Sequence, residues 1–532
     1  MDCNPHRWGF RPNHDGLMSA PIGFGAISFG HYGGHMLRHL CIACDLCLYF
    51  KGCRMRNRRG LLQLEGLTER IVPAVSIRAV DGDLLISGIA NTNGGLQKLW
   101  VNVTGDNQVS IYDGGTGFGT GGGKDRGTYS VTGDLIFNLS NRKDSVVVAF
   151  QSDFTLDGSV TANLYNGDDF FRIVHASDGG DDAQILGSVT VDCGNGNDEV
   201  VIDNDNGGGD GFIIQGGVSV NGGAGKDRVA LNDTTSDPLT IGSGVTLTRV
   251  NTVDIATNAD NVSISGNVII NASADKLIAN TINMGTGATA ALTIAGALAI
   301  TGGQGNDTVN ISDTSVVDVV PAQDEVLEIS INLDRGTNNT TLTSVQFGTN
   351  GTDADMNYTG GTGTDNVTFS GTNAVSGDAV FVLGNGANSV TVSSTTTFDA
   401  NVTITGGKAG DLINFNNSII SGLLSATLGN GTNSLSSGGT IAGGLTYSGG
   451  SNDDTVTLSN AEDLAGDVSI SVGAGIDEVT IGNGTTATLA VTSLTVDLGT
   501  DSAGDTLEYD AIFDALITIL NQGSGDTVTS VP

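Results

Sequence analysis

A glycine-rich segment that ends in an aspartate recurs along the chain and is the first candidate for chemistry. Its fullest copies are GGAGKDRVA at 222–230, GGQGNDTVN at 302–310 and GGTGTDNVT at 360–368. A tight glycine turn offers carbonyl oxygens beside a carboxylate, and calcium takes about six to eight such oxygen ligands. The candidate calcium ligands are the aspartates of the stronger copies: Asp198, Asp227, Asp307, Asp365, Asp454 and Asp477.

The same segment also suits a purely structural turn. Glycine adopts backbone angles that other residues avoid, and Asp or Asn forms hydrogen bonds within its own turn. Two weaker copies, at 384–392 and 429–435, carry Asn388 and Asn433 in the aspartate position. A turn tolerates this exchange, whereas an ion site that depends on a carboxylate does not. The structural turn is therefore the preferred interpretation, and calcium is the alternative.

The segment resembles the calcium nonapeptide G-G-x-G-x-D-x-U-x of RTX-type secreted proteins. This resemblance implies calcium as the cofactor, bound between turns along one edge of a β-solenoid. In that family the nonapeptides follow one another directly, whereas here one segment occurs per about 22 residues. A calcium site would therefore need oxygens from two stacked coils, as where Asp454 lies over Asp477 in the predicted repeat.

A second group that could do chemistry is GDDFFRIVHASDGGDD at 167–182. Lyases and hydrolases that act on polysaccharides need clustered carboxylates close to a base or cation. The segment supplies the acidic pairs Asp168/Asp169 and Asp181/Asp182 close to Arg172 and His175. The simpler interpretation is a surface loop between coils, so no catalytic residue is assigned and the protein is predicted not to be an enzyme.

These candidate residues lie in a regular repeat. Aligned on the Asp or Asn position, the later copies fall at Asp365, Asn388, Asp411, Asn433, Asp454 and Asp477, about 22 residues apart. Apolar residues two apart follow each copy, as in Val367/Phe369 and Val456/Leu458. Such alternation predicts a strand with one buried face, and a short regular period predicts stacked units.

The predicted fold is all-β, a parallel β-helix (β-solenoid) of about 20 coils with about 22 residues each. Tandem β-sandwich domains are the alternative, but they need about 100 residues per unit. Residues 1–78 are predicted to be a leader or export segment that is disordered or removed. Residues 79–190 are predicted to form irregular N-terminal coils or a cap, and 191–532 the solenoid repeats. One stretch, 510–520, is a candidate helix, as a cap.

The first 78 residues differ in composition from the rest of the chain. They hold Cys41, Cys44, Cys47 and Cys53, whose spacing fits neither a ferredoxin run nor two separated zinc-ligand pairs. Their role stays open, as does the start site, because Met55 is an alternative to Met1.

A basic and leucine-rich pattern lies at 56–74, in RNRRGLLQLEGLTERIVPA. It places Arg56, Arg58 and Arg59 before Leu62, Leu64, Glu65, Leu67, Arg70, Pro73 and Ala74. This pattern resembles the N-terminal export signature of large secreted β-repeat proteins of planctomycete-type bacteria. The resemblance implies export to the cell surface or medium of a bacterium.

Composition limits the partners. The formal net charge is −36, and no Lys or Arg occurs after residue 408. Nucleic acid is not an expected partner, because its phosphates require a basic face. No apolar run reaches the roughly 18 residues of a membrane-spanning helix.

The predicted function is a secreted or cell-surface acidic β-solenoid with a structural, adhesive or matrix role. A cell-surface glycan or matrix is the partner class considered. A calcium-binding RTX-like extracellular protein and a carbohydrate-active β-helix enzyme are the alternatives. The sequence does not predict the specific ligand or the oligomeric state.

Overall fold

The structure is a computed structural model that describes most residues from Val75 onward. The described ranges are 75–88, 97–114, 123–176, 180, 182–205, 209–233, 237–258, 261–273, 278–287, 291–316, 327–348, 353–459, 464–482, 490–502 and 504–531. The export pattern at 56–74, the cysteines at 41–53 and Asp181 lie outside the described residues.

Three parallel sheets run along a stack of coils, and most coils give one strand to each sheet in turn. One such coil consists of Phe170–His175, Ala183–Ile185 and Val189–Asp192, followed by a corner that leads to Glu199–Asn204. Strands of successive coils pair in register, so Ile173 lies between Val148 of the preceding coil and Ile202 of the next. The predicted parallel β-solenoid is therefore confirmed.

The first sheet holds the strands that follow the corner segment. Its parallel strands from residue 144 onward are Asp144–Phe150, Phe170–His175, Glu199–Asn204, Arg228–Leu231, Thr252–Ile255, Thr281–Met284, Thr308–Ser312, Asn338–Thr343, Asp365–Ser370, Ser389–Val392, Leu412–Asn414, Ser434–Ser437, Thr455–Leu458, Glu478–Ile481, Thr506–Asp510 and Thr527–Val531. Gln97–Gly105, Gln108–Asp113 and Lys124–Ser130 extend its N-terminal edge with antiparallel pairings.

The second sheet holds short strands and has 12 members. They are Thr155–Leu156, Ala183–Ile185, Phe212–Ile214, Leu239–Ile241, Asn261–Ile264, Ala291–Ile294, Thr314–Val316, Gln346–Phe347, Asn373–Val375, Thr396–Phe398, Ser418–Ile420 and Thr440–Ile441.

The third sheet holds the strands that precede the corner. They are Ser76–Val80, Asp83–Ser87, Leu135–Asn138, Val160–Asn163, Val189–Asp192, Val218–Asn221, Val245–Val250, Val268–Ala272, Leu298–Thr301, Leu327–Asn332, Ala354–Thr359, Ala379–Val382, Val402–Thr405, Leu424–Thr427, Leu445–Ser448, Ala465–Ser471, Ala490–Asp497 and Ile517–Leu520. Among the described residues, the remaining antiparallel pairing joins its first two strands.

The core is the column of side chains that point inward from all three sheets. The alternating residues Val367 and Phe369 are buried, as are Val456 and Leu458, which confirms the period-two prediction. Aromatic rings of adjacent coils pack edge to face, with centroids 5.6 Å apart for Phe369 and Phe398. Each coil thus buries its apolar face only by stacking on its neighbours.

Two details of the prediction are wrong. The coil spacing is about 26 residues rather than about 22, so the solenoid has fewer coils than expected. The candidate helix at 510–520 is a 3₁₀ turn, Ala511–Phe513, followed by the strand Ile517–Leu520. Among the described residues, no helix is long and apolar enough to cross a membrane.

Candidate functional site

The segment GGQGND at 302–307 forms the corner between a third-sheet strand and a first-sheet strand. The Asp307 side chain is fully buried. Its Oδ2 accepts a 2.9 Å hydrogen bond from the Gly303 backbone N–H. Its Oδ1 accepts a 2.7 Å bond from Nδ2 of Asn280, one coil earlier. The Asp307 N–H donates to Oδ1 of Asn338, one coil later, at 2.9 Å. The carboxylate of Asp307 therefore closes its own turn and joins it to the preceding coil, and the backbone N–H of the same residue joins it to the next coil.

The glycines of the segment are explained by close approach rather than by a ligand. A Cβ on Gly302 would overlap Oδ2 of Asp307, which folds back into that space. A Cβ on Gly303 would overlap the carbonyl oxygen of Ser273 in the preceding coil. The motif therefore contains glycine because this corner packs tightly on the corner of the preceding coil.

At equivalent corners, one Asp or Asn residue per coil lines up along the stack, and we name this row of residues the corner ladder. Its members are Asp144, Asp169, Asp198, Asp227, Asn251, Asn280, Asp307, Asn338, Asp365, Asn388, Asp411, Asn433, Asp454, Asp477, Asp505 and Asp526. All but Asp526 are buried.

Hydrogen bonds link each member of the corner ladder to the next. The backbone N–H of one residue donates to Oδ1 of the residue one coil later, as from Asp454 to Asp477 at 2.7 Å. At Asn251 and Asn338 the side-chain amide makes the link instead, at 3.2 and 2.7 Å. These bonds satisfy backbone N–H groups that would otherwise be buried without an acceptor.

All six predicted calcium ligands belong to the corner ladder. Asp198, Asp227, Asp307, Asp365, Asp454 and Asp477 are each 2% exposed or less. Their carboxylates point into the solenoid wall, and each Oδ1 accepts a hydrogen bond from the preceding coil.

The donor set does not gather around one point. Neighbouring carboxylates lie one coil apart, about 4.8 Å in a β-stack, with a backbone N–H between them. Within the described ranges, no group of three or more His, Cys, Asp or Glu side chains is arranged to hold a metal ion. Calcium, which takes about six to eight oxygens, would need carbonyl oxygens of the turns in addition to these carboxylates.

The composition of the corner ladder divides it into two kinds of stretch. Where Asn precedes Asp, the amide donates to the carboxylate of the next coil, as from Asn388 to Asp411 at 2.9 Å. Two stretches contain aspartates alone: 144, 169, 198 and 227, and 454, 477, 505 and 526. One carboxylate oxygen is buried without a hydrogen-bond partner in Asp144, Asp169, Asp198, Asp227, Asp411 and Asp477.

Burial controls the protonation of these carboxyls. Loss of water contact raises the pKa of Asp169 and Asp227 to about 7 and that of Asp198 to about 6. The negative charge of adjacent aspartates adds to the effect, because a second charge in the same file is repelled. Burial also raises the pKa of Asp365 and Asp477 to about 6, and it raises the pKa of Asp144, Asp307, Asp411, Asp454 and Asp505.

The described residues of the acidic segment at 167–182 do not come together as a cluster. Asp168 is exposed and its Oδ1 accepts the Asn197 N–H at 2.9 Å, whereas Asp169 is buried in the corner ladder. Arg172 forms ion pairs with Asp203 and Asp205 at 3.0 and 3.4 Å.

His175 and Asp182 complete the described part of this segment. His175 is fully buried, its Nδ1 lies 3.2 Å from Oδ1 of Asn204, and burial lowers its pKa. Oδ1 of Asp182, which is exposed, accepts the Gly211 N–H at 2.6 Å. Each of these polar groups is therefore engaged in joining neighbouring coils.

Sequence reasoning missed several members of the corner ladder. Asn280 and Asn338 flank Asp307 in the stack, although the nearest full copies of the motif lie at Asp227 and Asp365. The signal that could have found them is an Asn directly before an alternating strand, as in NTIN at 280–283 and NNTTL at 338–342.

The corner ladder is thus the most extensive arrangement of chemically capable residues in the described part of the chain. A scan against known protein families finds no match to this sequence, and a search of curated proteins finds no significant match.

Proposed function

We propose that the protein is a secreted or cell-surface acidic β-solenoid of a bacterium that serves as a structural rod in an adhesive or matrix role. The observation that carries this proposal is the corner ladder. The repeated glycines and aspartates, which could have formed a ligand site, instead link successive coils to each other. The most regular feature of the sequence therefore supports the length and rigidity of the rod by linking its coils.

The outward surface supports an extracellular setting. The side chains on the outer face of the third sheet are mainly Thr, Ser and Asn, as at Thr403, Ser425 and Thr446, which occupy equivalent positions in successive coils. Together with a net charge of −36, such a surface favours solubility and repulsion between copies. The export pattern at 56–74 supports the same location.

Calcium binding is the second candidate, and one observation favours it. Oδ2 of Asp198, Asp227 and Asp477 is buried without a hydrogen bond. Such an oxygen is stabilised either by a proton or by a cation. The preference for the structural rod rests on the hydrogen bonds that already engage Oδ1 of the same residues.

The location is tested by immunogold labelling with antibodies raised against residues 75–532, on intact and on permeabilised cells. We expect labelling of intact cells that is removed by brief external protease treatment. A cytosolic enzyme of the same cells, labelled only after permeabilisation, is the control. Labelling of this protein only after permeabilisation would contradict a surface or secreted location.

A further inference from the structure

An open cleft of about 350 Å³ lies where two adjacent third-sheet strands, Val160–Asn163 and Val189–Asp192, turn into their corners. Its lining is Asn163, Tyr165, Asn166, Asp192, Gly194 and Asn195. The volume is at the lower end of the range of about 300 to 1,000 Å³ typical of ligand pockets. The cleft lies outside the corner ladder, and the function proposed above does not use it.

Tyr165 is the aromatic wall of this cleft. It is 47% exposed, whereas the other Phe, Trp and Tyr residues in the described part of the chain are buried or half-buried. Its backbone has φ of 71°, and the equivalent residues of the next two coils are Gly194 and Gly223, with φ of 89° and 91°. A side chain larger than glycine is uncommon in this left-handed region, and such exceptions concentrate at functional positions.

The neighbouring glycine leaves the space beside the tyrosine open. A Cβ on Gly194 would overlap the carbonyl oxygen of Tyr165, so the next coil cannot place a side chain at that point. The Tyr165 ring therefore stands next to a notch rather than in a continuous row of side chains.

The row of side chains that are hydrogen-bonded from one coil to the next is interrupted at the cleft. Nδ2 of Asn163 donates to Asn138 at 2.7 Å, in the preceding coil. Oδ1 of Asp192 accepts from Nδ2 of Asn221 at 3.0 Å, in the following coil. Asn163 and Asp192 occupy equivalent positions in adjacent coils, but neither side chain donates to the other. The cleft thus has acceptor oxygens on both sides, Oδ1 of Asn163 and Oδ2 of Asp192, and lacks a donor between them.

We propose that this cleft binds a neutral sugar residue of a glycan. Two hydroxyl groups of a sugar supply the missing donors, while the Tyr165 ring offers an apolar face to the C–H face of the sugar and a polar edge to water. The negative charge of Asp192 and of the whole chain disfavours uronic acids and sulfated sugars. The inference gives a ligand class to the adhesive role and rests on the proposed function only for its biological setting.

The experiment is affinity electrophoresis of the full chain through gels that contain a soluble β-glucan, mannan or galactan. A gel containing polygalacturonate serves as the acidic comparison. We expect retardation by at least one neutral polysaccharide and none by polygalacturonate. The variant Tyr165→Gly is expected to weaken binding at least tenfold. Because glycine suits the backbone at this position, that loss cannot be ascribed to misfolding, and circular dichroism and Tm check this.

Asp192→Asn tests whether the absence of a donor between Asn163 and Asp192 matters for binding. The substitution leaves the shape of the side chain almost unchanged. Its new amide can donate across the gap to Asn163, so we expect weaker sugar binding. Asp378→Asn, an exposed aspartate in another turn whose Oδ1 accepts from Asn401, is the matched control and is expected to bind normally. Failure of all three neutral polysaccharides to retard the wild type, or full binding by Tyr165→Gly, would overturn the proposal. Because purified protein is used, either result is independent of where the cell places the chain.

Discussion

The backbone N–H of Asp198 donates a 2.9 Å hydrogen bond to Oδ1 of Asp227, one coil later, while Oδ2 of Asp227 is buried without a partner. The bond joins the two coils, and the free oxygen makes ionisation of the same side chain unfavourable. In the equivalent position Asn433 donates its Nδ2 to the carbonyls of Gly429 and Gly431, each at 3.0 Å. An aspartate such as Asp227, whose Oδ2 has no donor, thus resembles an asparagine only while it is protonated.

Asp227→Asn is therefore expected to stabilise the solenoid at pH 8. The amide keeps the acceptor for Asp198 and adds a donor for the turn carbonyls, without a buried charge. We expect a gain of about 1 to 3 kcal/mol in the free energy of unfolding, measured by urea denaturation. Asp227→Ala, which removes the acceptor, is the control and is expected to lose about 1 to 3 kcal/mol. Equal destabilisation by both variants would contradict the explanation.

The stability of the solenoid is expected to fall as the pH rises. The pKa of Asp169 and Asp227 is raised to about 7 and that of Asp198 to about 6, against about 3.9 in an unfolded chain. The folded state therefore binds these protons more tightly, so their contribution is complete below about pH 4 and is lost as the pH rises through about 6 to 7. We expect a Tm several degrees lower at pH 8 than at pH 5.

The combined variant Asp169→Asn/Asp198→Asn/Asp227→Asn is expected to flatten this pH profile, because amides do not titrate in that range. The matched control replaces the exposed aspartates Asp157, Asp378 and Asp453 by Asn and is expected to keep the wild-type slope. A wild-type Tm that rises between pH 5 and pH 8 would exclude the proposed protonation of the corner ladder.

Calcium is expected to have little effect on Tm at neutral pH. The carboxylates of the corner ladder are one coil apart, and their Oδ1 atoms already accept hydrogen bonds. The measurement compares Tm in EDTA with Tm in millimolar calcium, with magnesium as the control for ionic strength. A ligand that binds only the folded state raises Tm with concentration. A calcium-specific rise that disappears in Asp198→Asn/Asp227→Asn would favour the calcium-binding alternative over the purely structural corner.

Gly303→Ala is expected to destabilise the protein because its new methyl group would overlap the Ser273 carbonyl of the adjacent coil. The two corners would have to separate, with a cost of about 1 to 3 kcal/mol or more. Gly88→Ala is the control, since its φ of 71° adds backbone strain while no atom lies within 4 Å of the new Cβ. That control is expected to cost about 1 to 2 kcal/mol. Urea denaturation measures both losses. The backbone at Gly303 is not left-handed, so a loss there reports the overlap with Ser273, and unchanged stability of Gly303→Ala would contradict the explanation.

Removal of one whole coil is expected to leave a folded protein. Deletion of residues 389–411 joins Asn388 to Leu412, which pairs in register with Ser389 in the intact chain. The corner ladder then continues from Asn388 to Asn433, and stacked repeats tolerate the loss of an internal unit. Circular dichroism and Tm are expected to stay close to wild type. Deletion of 389–399 alone removes two strands of the coil and is the mismatched control, expected to misfold.

The sequence predicts the fold class because the two patterns that indicate it, alternating apolar residues and glycine-rich corners, each extend over only a few residues. Alternation in Val367/Phe369 and Val456/Leu458 sets strands with one buried face, and a glycine segment before each strand marks the corner. Stacking of identical short units then follows, since one coil cannot bury its apolar face alone. The coil length is less predictable, because turns around the coil vary without affecting the corner.

The variable spacing of its members along the chain explains why the sequence pattern identifies only part of the corner ladder. The distance along the chain between neighbouring members is 31 residues from Asp307 to Asn338 but 21 from Asn433 to Asp454. A fixed period of about 22 residues therefore identifies the regular coils after Asp365 and misses the longer coils before it. Asn280 and Asn338 become neighbours of Asp307 only when the intervening turns have folded.

The sequence by itself determined that the chain forms stacked β-coils with glycine–aspartate corners, because periodicity and turn residues act within a few positions. Only the tertiary structure decided that Asp169 and Asp227 face inward while Asp168 faces water, and that Tyr165 stands beside an open notch. The physical reason is that a corner interrupts the alternation of the strands. The direction and the protonation of a side chain there depend on the coils stacked on either side.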